Sequence, residues 1–222
     1  MNKDALRDRP AIPVLYEDTD VIAVNKPAGT ASIPERDLSV PSVRTILETQ
    51  AGAKLYTVHR LDKEVSGVML FAKTAEAHRY LNNAFFERNV QKSYIALVHG
   101  LIESDSGTID APIRQFGSGR MGVDEKNGKP SVTRYTVLER RGQFTLVEAY
   151  PLSGRRHQIR VHFYHIGHPI AGDMRYGKEP EQERFKRIML HALRIEWKRK
   201  DGRMVSIVAE IPGEFKEKVP LS

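Results

Sequence analysis

Three stretches of the 222-residue chain gather residue types that can do acid–base, nucleophilic or anion-binding chemistry. In the first, His59-Arg60-Leu61-Asp62-Lys63-Glu64-Val65-Ser66-Gly67, a carboxylate lies among basic residues just before an apolar run. Neighbouring cations lower the pKa of such an Asp and keep it ionised, as a nucleophile or base at neutral pH requires. The same pattern also describes a surface carboxylate in a solvated ion-pair cluster. The second stretch, Gly154-Arg155-Arg156-His157-Gln158-Ile159-Arg160-Val161-His162, leads into Gly167–Gly177. On a helix, Arg156 and Arg160 are four apart and share a face. That face suits a phosphate or carboxylate, or is simply solvated. The third stretch scatters Arg114, Arg120, Lys126 and Lys129 among Gly117, Gly119, Gly122 and Gly128 with no apolar period. It predicts a long, mobile, basic loop over 114–131.

Two other patterns carry less. Gly117-Ser-Gly-Arg-Met-Gly122 fits G-x-G-x-x-G, but Val-Asp-Glu-Lys-Asn-Gly-Lys-Pro follows it and cannot open the helix that a dinucleotide fingerprint needs. His157, His162, His165 and His168 match no zinc spacing, and the chain has no cysteine to complete a ligand set. The reading is therefore no metal site.

These stretches must be positioned by a framework. Val14–Tyr16 and Val21–Val24 read as short strands around the acidic turn Glu17-Asp-Thr-Asp20. A helix is predicted over 42–50, with Val43, Ile46 and Leu47 on one face and Gly52 past its end. Ser66–Lys73 reads as a buried strand. Thr74 then caps a helix whose Ala77, Leu81, Ala84 and Phe85 share a face. Further strands are predicted at Tyr94–Val98, Val132–Leu138, Phe144–Tyr150, Leu190–Trp197 and Met204–Ile211, with a helix at Arg156–Ile166. No linker-like composition interrupts them. The expectation is a loose segment over 1–13 followed by one α+β domain over 14–222.

Composition narrows the class. With 40% hydrophobic and 28% charged residues the chain is globular in composition. The absence of cysteine excludes a disulfide scaffold and thiol catalysis and suits a reducing cytosol. Apolar runs such as Val68–Ala72 fall far short of the ~20 residues of a spanning helix. Residues 1–10 lack the apolar stretch of a signal peptide. The expectation is a cytoplasmic protein with no membrane contact, monomeric and with no obligate protein partner. Thirty-five Lys and Arg against 28 Asp and Glu give a net charge of +7. That surplus favours a polyanionic partner, because each phosphate neutralised releases condensed counterions.

Taken in order, the motifs resemble those of the RluA-type pseudouridine synthases. His59 to Gly67 is similar to the family's H-R-L-D-x-x-T-S-G, and Lys92-Ser-Tyr94-Ile-Ala-Leu-Val98 with Gly100 to K-x-Y-x-A-L-V-x-G. Gly154 to His162 resembles G-R-T-H-Q-I-R-V-H, and Gly167 to Gly177 resembles G-H-P-I-x-G-D-x-x-Y-G. Asn25-Lys-Pro-Ala-Gly29 and Leu190-His-Ala192 agree as well, so the likeness runs from Leu15 to Ile211. Val65 and Arg156 depart from it, each standing where Thr is usual. The likeness is to single-domain members that carry no S4 domain.

The resemblance implies a mixed, largely antiparallel, bent sheet with flanking helices and loops. It also implies an enzyme that isomerises uridine in ribosomal or transfer RNA to pseudouridine, without cofactor or metal. Asp62 would be the essential carboxylate, attacking C6 of the base or C1′ of the ribose, or deprotonating C2′. Arg160 would pair with Asp62, and Tyr94 would lie against the uracil ring. His59 and Arg60 would help hold open or replace the stacked target base, which must be flipped out. Arg114, Arg120, Lys126, Lys129, Arg155 and His157 complete the expected RNA contacts. A catalytically silent RNA-binding or ribosome-assembly protein is the alternative, and a glycosidase would need a second carboxylate that the Asp62 motif does not supply.

Overall fold

The computed structural model of the chain describes residues 10–37 and 39–215. The expected loose segment over 1–13 therefore falls largely outside the described residues. Along the chain come β1 (Val14–Glu17), β2 (Val21–Lys26), α1 (Val43–Ala51), β3 (Tyr56–Thr57), β4 (Ser66–Ala72) and α2 (Ala75–Phe86). Next are β5 (Val90–His99), β6 (Ser106–Asp110), β7 (Ile113–Gln115), β8 (Met121–Val123), β9 (Val132–Arg141) and β10 (Phe144–Pro151). The chain continues with α3 (Gln158–His165), α4 (Glu179–Gln182), β11 (Leu190–Lys198) and β12 (Met204–Val208). The class is α+β, and the strands pair antiparallel. The described residues form two compact units, one up to Gln91 together with Ala192–Glu210, the other Lys92–His191 with residues from Ile211.

In the first unit β2 lies between β1 and β4, β3 pairs the end of β4, and β12 pairs β11. The acidic turn between β1 and β2 closes because Asp18 Oδ1 accepts from the N–H groups of Asp20 and Val21, each at 2.8 Å. Ser42 caps α1 by accepting from the Thr45 N–H at 3.2 Å, and Gly52 ends that helix in the left-handed region at φ 62°. Thr74 caps α2 through the Ala77 N–H at 3.0 Å. Ala77, Leu81 and Ala84 then pack with Val21, Ala23, Val68, Leu70, Ile195 and Trp197. Every residue of β4 is buried, which is why it reads as a continuous apolar run rather than an alternation. Ile12 is also buried, and its N–H donates to Gln50 Oε1 at 2.8 Å.

In the second unit the strands run in the order β5-β10-β9-β6, with β7 and β8 as a separate hairpin. The hairpin corrects the expectation of a long irregular loop over 114–131. Its strands have three residues each, too short for an apolar period to register. Ile113, Met121 and Val123 nevertheless pack with Val161 and Tyr176. The Gly-rich run is the hairpin's turn: Gly119 has φ 75°, and its N–H donates to the Phe116 carbonyl at 2.8 Å. The helix expected from Arg156 begins later, at Gln158, because His157 is in the left-handed region at φ 56°. Arg156 therefore precedes the helix and shares no helical face with Arg160.

Candidate active site

Asp62 lies on the loop between β3 and β4, half-buried, at the head of a tight turn in which the Val65 N–H donates to the Asp62 carbonyl at 3.1 Å. The residues on either side are gripped through their backbones. Ser32 Oγ donates to the Leu61 carbonyl at 2.7 Å and accepts from the Leu61 N–H at 3.1 Å. The Lys63 carbonyl accepts from the Gly29 N–H and from Lys26 Nζ, both at 2.9 Å. Lys26 is fully buried and also donates to the Pro27 carbonyl at 2.9 Å. The Asn25–Gly29 segment and Ser32 thus form the cradle of the Asp62 turn. Val65, one of the two departures from the family motifs, is buried.

The turn feeds β4 through Gly67, whose φ is 113°. A Cβ there would collide with the backbone of Ala192 in β11, so only glycine fits. His59, expected among the RNA contacts, is half-buried. Its Nε2 accepts from the Leu70 N–H at 2.9 Å, and its ring stacks on Phe85 with centroids 5.0 Å apart. It takes up a β4 donor just where β3 ends. Arg60, beside it, is exposed.

In the second unit Tyr94 stands half-buried on β5 opposite Ala149 of β10. Burial pushes the Lys92 ammonium, two residues earlier, below the usual lysine range. Arg160, on α3, is only 5% exposed. It engages Asp173 through two parallel hydrogen bonds, Nε to Oδ2 and Nη2 to Oδ1, both at 2.8 Å. Asp173 Oδ1 also accepts from the N–H groups of Arg175 at 3.0 Å and Tyr176 at 3.3 Å. Tyr176 lies beneath the guanidinium, whose Cζ is 5.2 Å from the ring centroid. Its hydroxyl bonds His157 Nδ1 at 2.8 Å. Burial raises the Tyr176 phenol pKa, with the nearby Arg160 charge opposing. The sequence reading missed both Asp173 and Tyr176 as supports of Arg160. The signal lay in Gly172-Asp-x-x-Tyr-Gly177, but nothing in linear spacing joins it to Arg160.

Gln158 fastens the start of α3. Its Oε1 accepts from Ser153 Oγ at 2.8 Å and the Arg155 N–H at 3.0 Å, while its Nε2 donates to the Val132 carbonyl at 2.9 Å. The clustered histidines bond separate groups. His157 is held by Tyr176, His162 lies between Thr133 Oγ1 at 2.9 Å and the Ala111 carbonyl at 3.0 Å, and His168 bonds the His99 carbonyl at 2.8 Å. Among the described residues no three His, Asp or Glu side chains converge as a metal site requires.

The basic residues of 114–131 divide. Arg114 is half-buried, with Nε 2.9 Å from Asp124 Oδ2 and its guanidinium 4.5 Å from the Phe116 ring centroid. Arg120, Lys126 and Lys129 are exposed. Arg155 is half-buried, its Nη2 3.5 Å from the Pro130 carbonyl.

Residues 20–165 match the RNA pseudouridylate synthase family. The ribosomal large subunit pseudouridine synthase C of Vibrio cholerae is 38% identical over 190 residues, covering 83% of this chain and 60% of that protein. The protein of the same name from Escherichia coli is 43% identical over 169 residues, covering 74% of this chain and 53% of that protein. Among solved structures, human RNA pseudouridylate synthase domain containing 1 superposes with a TM-score of 0.79 at 30% identity, covering 91% of this chain and 86% of that one. The fold class and the ordered motifs thus define a pseudouridine synthase architecture. The chain belongs to the RNA pseudouridylate synthase family. It spans about 60% of the length of the Vibrio cholerae relative. Among the described residues no helix is long and apolar enough to cross a membrane.

Proposed function

We propose that the chain is a cytoplasmic, monomeric RNA pseudouridine synthase acting on ribosomal RNA. The observation that carries this is its family membership, joined to relatives whose names specify the large ribosomal subunit. Asp62 is the essential carboxylate of this reading, with Tyr94 and Arg160 as the other catalytic residues. The reaction breaks the C1′–N1 glycosidic bond, turns the uracil and rejoins it through C5, so the RNA keeps its mass. A base stacked in a helix is out of reach, so the target nucleotide is flipped, at a cost of a few kcal/mol.

The structure supports the assignment of Asp62 by the rigidity of its setting. A carboxylate that attacks a sugar or base must be held in place, and hydrogen bonds fix both of its neighbours. Arg60, Arg114, Arg120, Lys126, Lys129 and Arg155 supply cations for phosphate. His59 braces the loop and His157 seats Tyr176.

Asp62→Asn keeps the side-chain shape but removes the charge. It is expected to abolish pseudouridine formation, read as carbodiimide-dependent reverse-transcription stops, with RNA affinity retained. Activity within tenfold of wild type, a barrier change of only about 1.4 kcal/mol, removes Asp62 from this role.

A further inference from the structure

Four side chains of the second unit form a ladder from solvent to the buried ion pair. Tyr164, on α3, is 48% exposed. The Arg120 guanidinium lies 5.6 Å from its ring centroid and 5.1 Å from that of Tyr176. The two rings are 6.1 Å apart. Beyond them Arg160 lies 5.2 Å from the Tyr176 ring centroid and holds Asp173. Tyr176 and Arg160 are buried, whereas Tyr164 and Arg120 face water.

Arg120 is also held from behind. Its carbonyl accepts from the Phe116 N–H at 2.9 Å, and Arg175 Nη2 donates to the Gly119 carbonyl at 3.0 Å. The next residue, Met121, is anchored in the cluster of Ile113, Val161 and Tyr176. Arg114, on the same hairpin, is occupied by Asp124. Arg120 makes no ion pair among the described residues. Arg156, Arg175 and Lys178 are exposed too.

We infer that Tyr164 and Arg120 form a stacking site for an unpaired RNA nucleotide outside the target base. An exposed aromatic ring beside an ordered guanidinium offers a surface for a base and fork-shaped donors for its phosphate. The net charge of +7 favours RNA over an acid-poor protein surface as the occupant. Tyr164 supplies affinity for a base, and Arg120 supplies affinity for both base and phosphate. This inference rests on the reading of the chain as an RNA enzyme.

The test measures binding of the full chain by fluorescence anisotropy to two probes, an oligouridylate of about ten nucleotides and an abasic ribose-phosphate oligomer of equal length. Tyr164→Ala is expected to weaken binding to oligouridylate by about five- to fiftyfold while leaving the abasic oligomer unaffected. Tyr164→Phe keeps the ring and should bind oligouridylate as wild type does. Arg120→Lys keeps the charge but loses the plane, and should lose more affinity for oligouridylate than for the abasic oligomer. Leu138→Ala, a substitution at another exposed apolar residue of the second unit, serves as the control. Equal loss on both probes, or no loss on either, overturns the stacking site. If wild type forms pseudouridine in ribosomal RNA and Tyr164→Ala binds both probes unchanged, only this inference fails. If wild type binds neither probe and forms no pseudouridine, the enzymatic reading fails with it.

Discussion

Leu61 and Lys63, on either side of Asp62, are held through their backbone groups by Ser32, Gly29 and Lys26. Arg160 is held through its own side chain, by the Asp173 carboxylate and the Tyr176 ring. The two arrangements solve different problems. Around Asp62, which is half-buried, backbone hydrogen bonds to its two neighbours fix where it stands. A guanidinium that is 5% exposed has lost its hydration and needs an opposite charge beside it. Variation should therefore be felt differently in the two places, chiefly as lost turnover around Asp62 and as lost stability around Arg160.

The sharpest way to break that comparison is Asp173→Asn. It leaves the buried guanidinium facing a neutral amide, and removing one partner of a buried ion pair costs about 3–5 kcal/mol. The unfolding midpoint in urea should fall accordingly. A midpoint within error of wild type would show that Arg160 is neutralised by something other than Asp173.

Next in size is Ser32→Ala, which strips one donor and one acceptor from the buried Leu61 backbone. The expected stability loss is about 1–3 kcal/mol. Its distinguishing mark is a further fall of about tenfold in single-turnover rate at saturating RNA, about 1.4 kcal/mol in barrier. Should the rate hold while stability drops, Ser32 is a stability residue and the contrast with Asp173 disappears.

The smallest effect concerns pH and tests how dry the surroundings of α3 are. Burial pushes the His162 imidazole below its usual pKa, although the Ala111 carbonyl opposes this. The folded state thus binds a proton less readily than the unfolded chain, whose histidines titrate near about 6.5. His162 contributes its full stabilisation above about pH 6.5 and loses it as pH falls toward its folded value. The melting temperature should be level between about pH 7 and 8 and decline below about 6.5. His162→Asn should flatten that decline in part. His99, also lowered by burial, shares the window and keeps the rest. A decline of unchanged steepness in the variant would place the titrating group elsewhere.

Much of the framework was readable because its signals are local. Thr74 caps the helix expected after it, the helix expected over 42–50 begins one residue later with Ser42 as its cap, and β4 is the buried run it looked like. Where the reading slipped, each cause lay beyond the window of a few residues. The strands β7 and β8 have too few apolar residues to show a period; they pair antiparallel with each other, and Ile113 and Met121 pack against Val161 and Tyr176. The late start of α3 depends on His157, whose left-handed backbone coincides with a hydrogen bond to Tyr176, nineteen positions away. His59 was expected among the RNA contacts, and what the linear sequence did not show is that its ring also accepts from the Leu70 N–H of β4.

The sequence by itself determined the class, through the likeness of the ordered motifs around Asp62, Tyr94, Arg160 and Gly167–Gly177, and it set the net charge of +7 that led to the expectation of a polyanionic partner. Residue type and spacing suffice for both, because chemistry is carried by identity and charge sums without regard to position. Only the tertiary structure decided that Ser32 grips Leu61, that Asp173 neutralises Arg160, and that Arg120 lies beside the rings of Tyr164 and Tyr176. Those contacts join residues 13 to 56 positions apart. Burial, which makes an unpaired charge or N–H costly, exists only once the chain has folded around them.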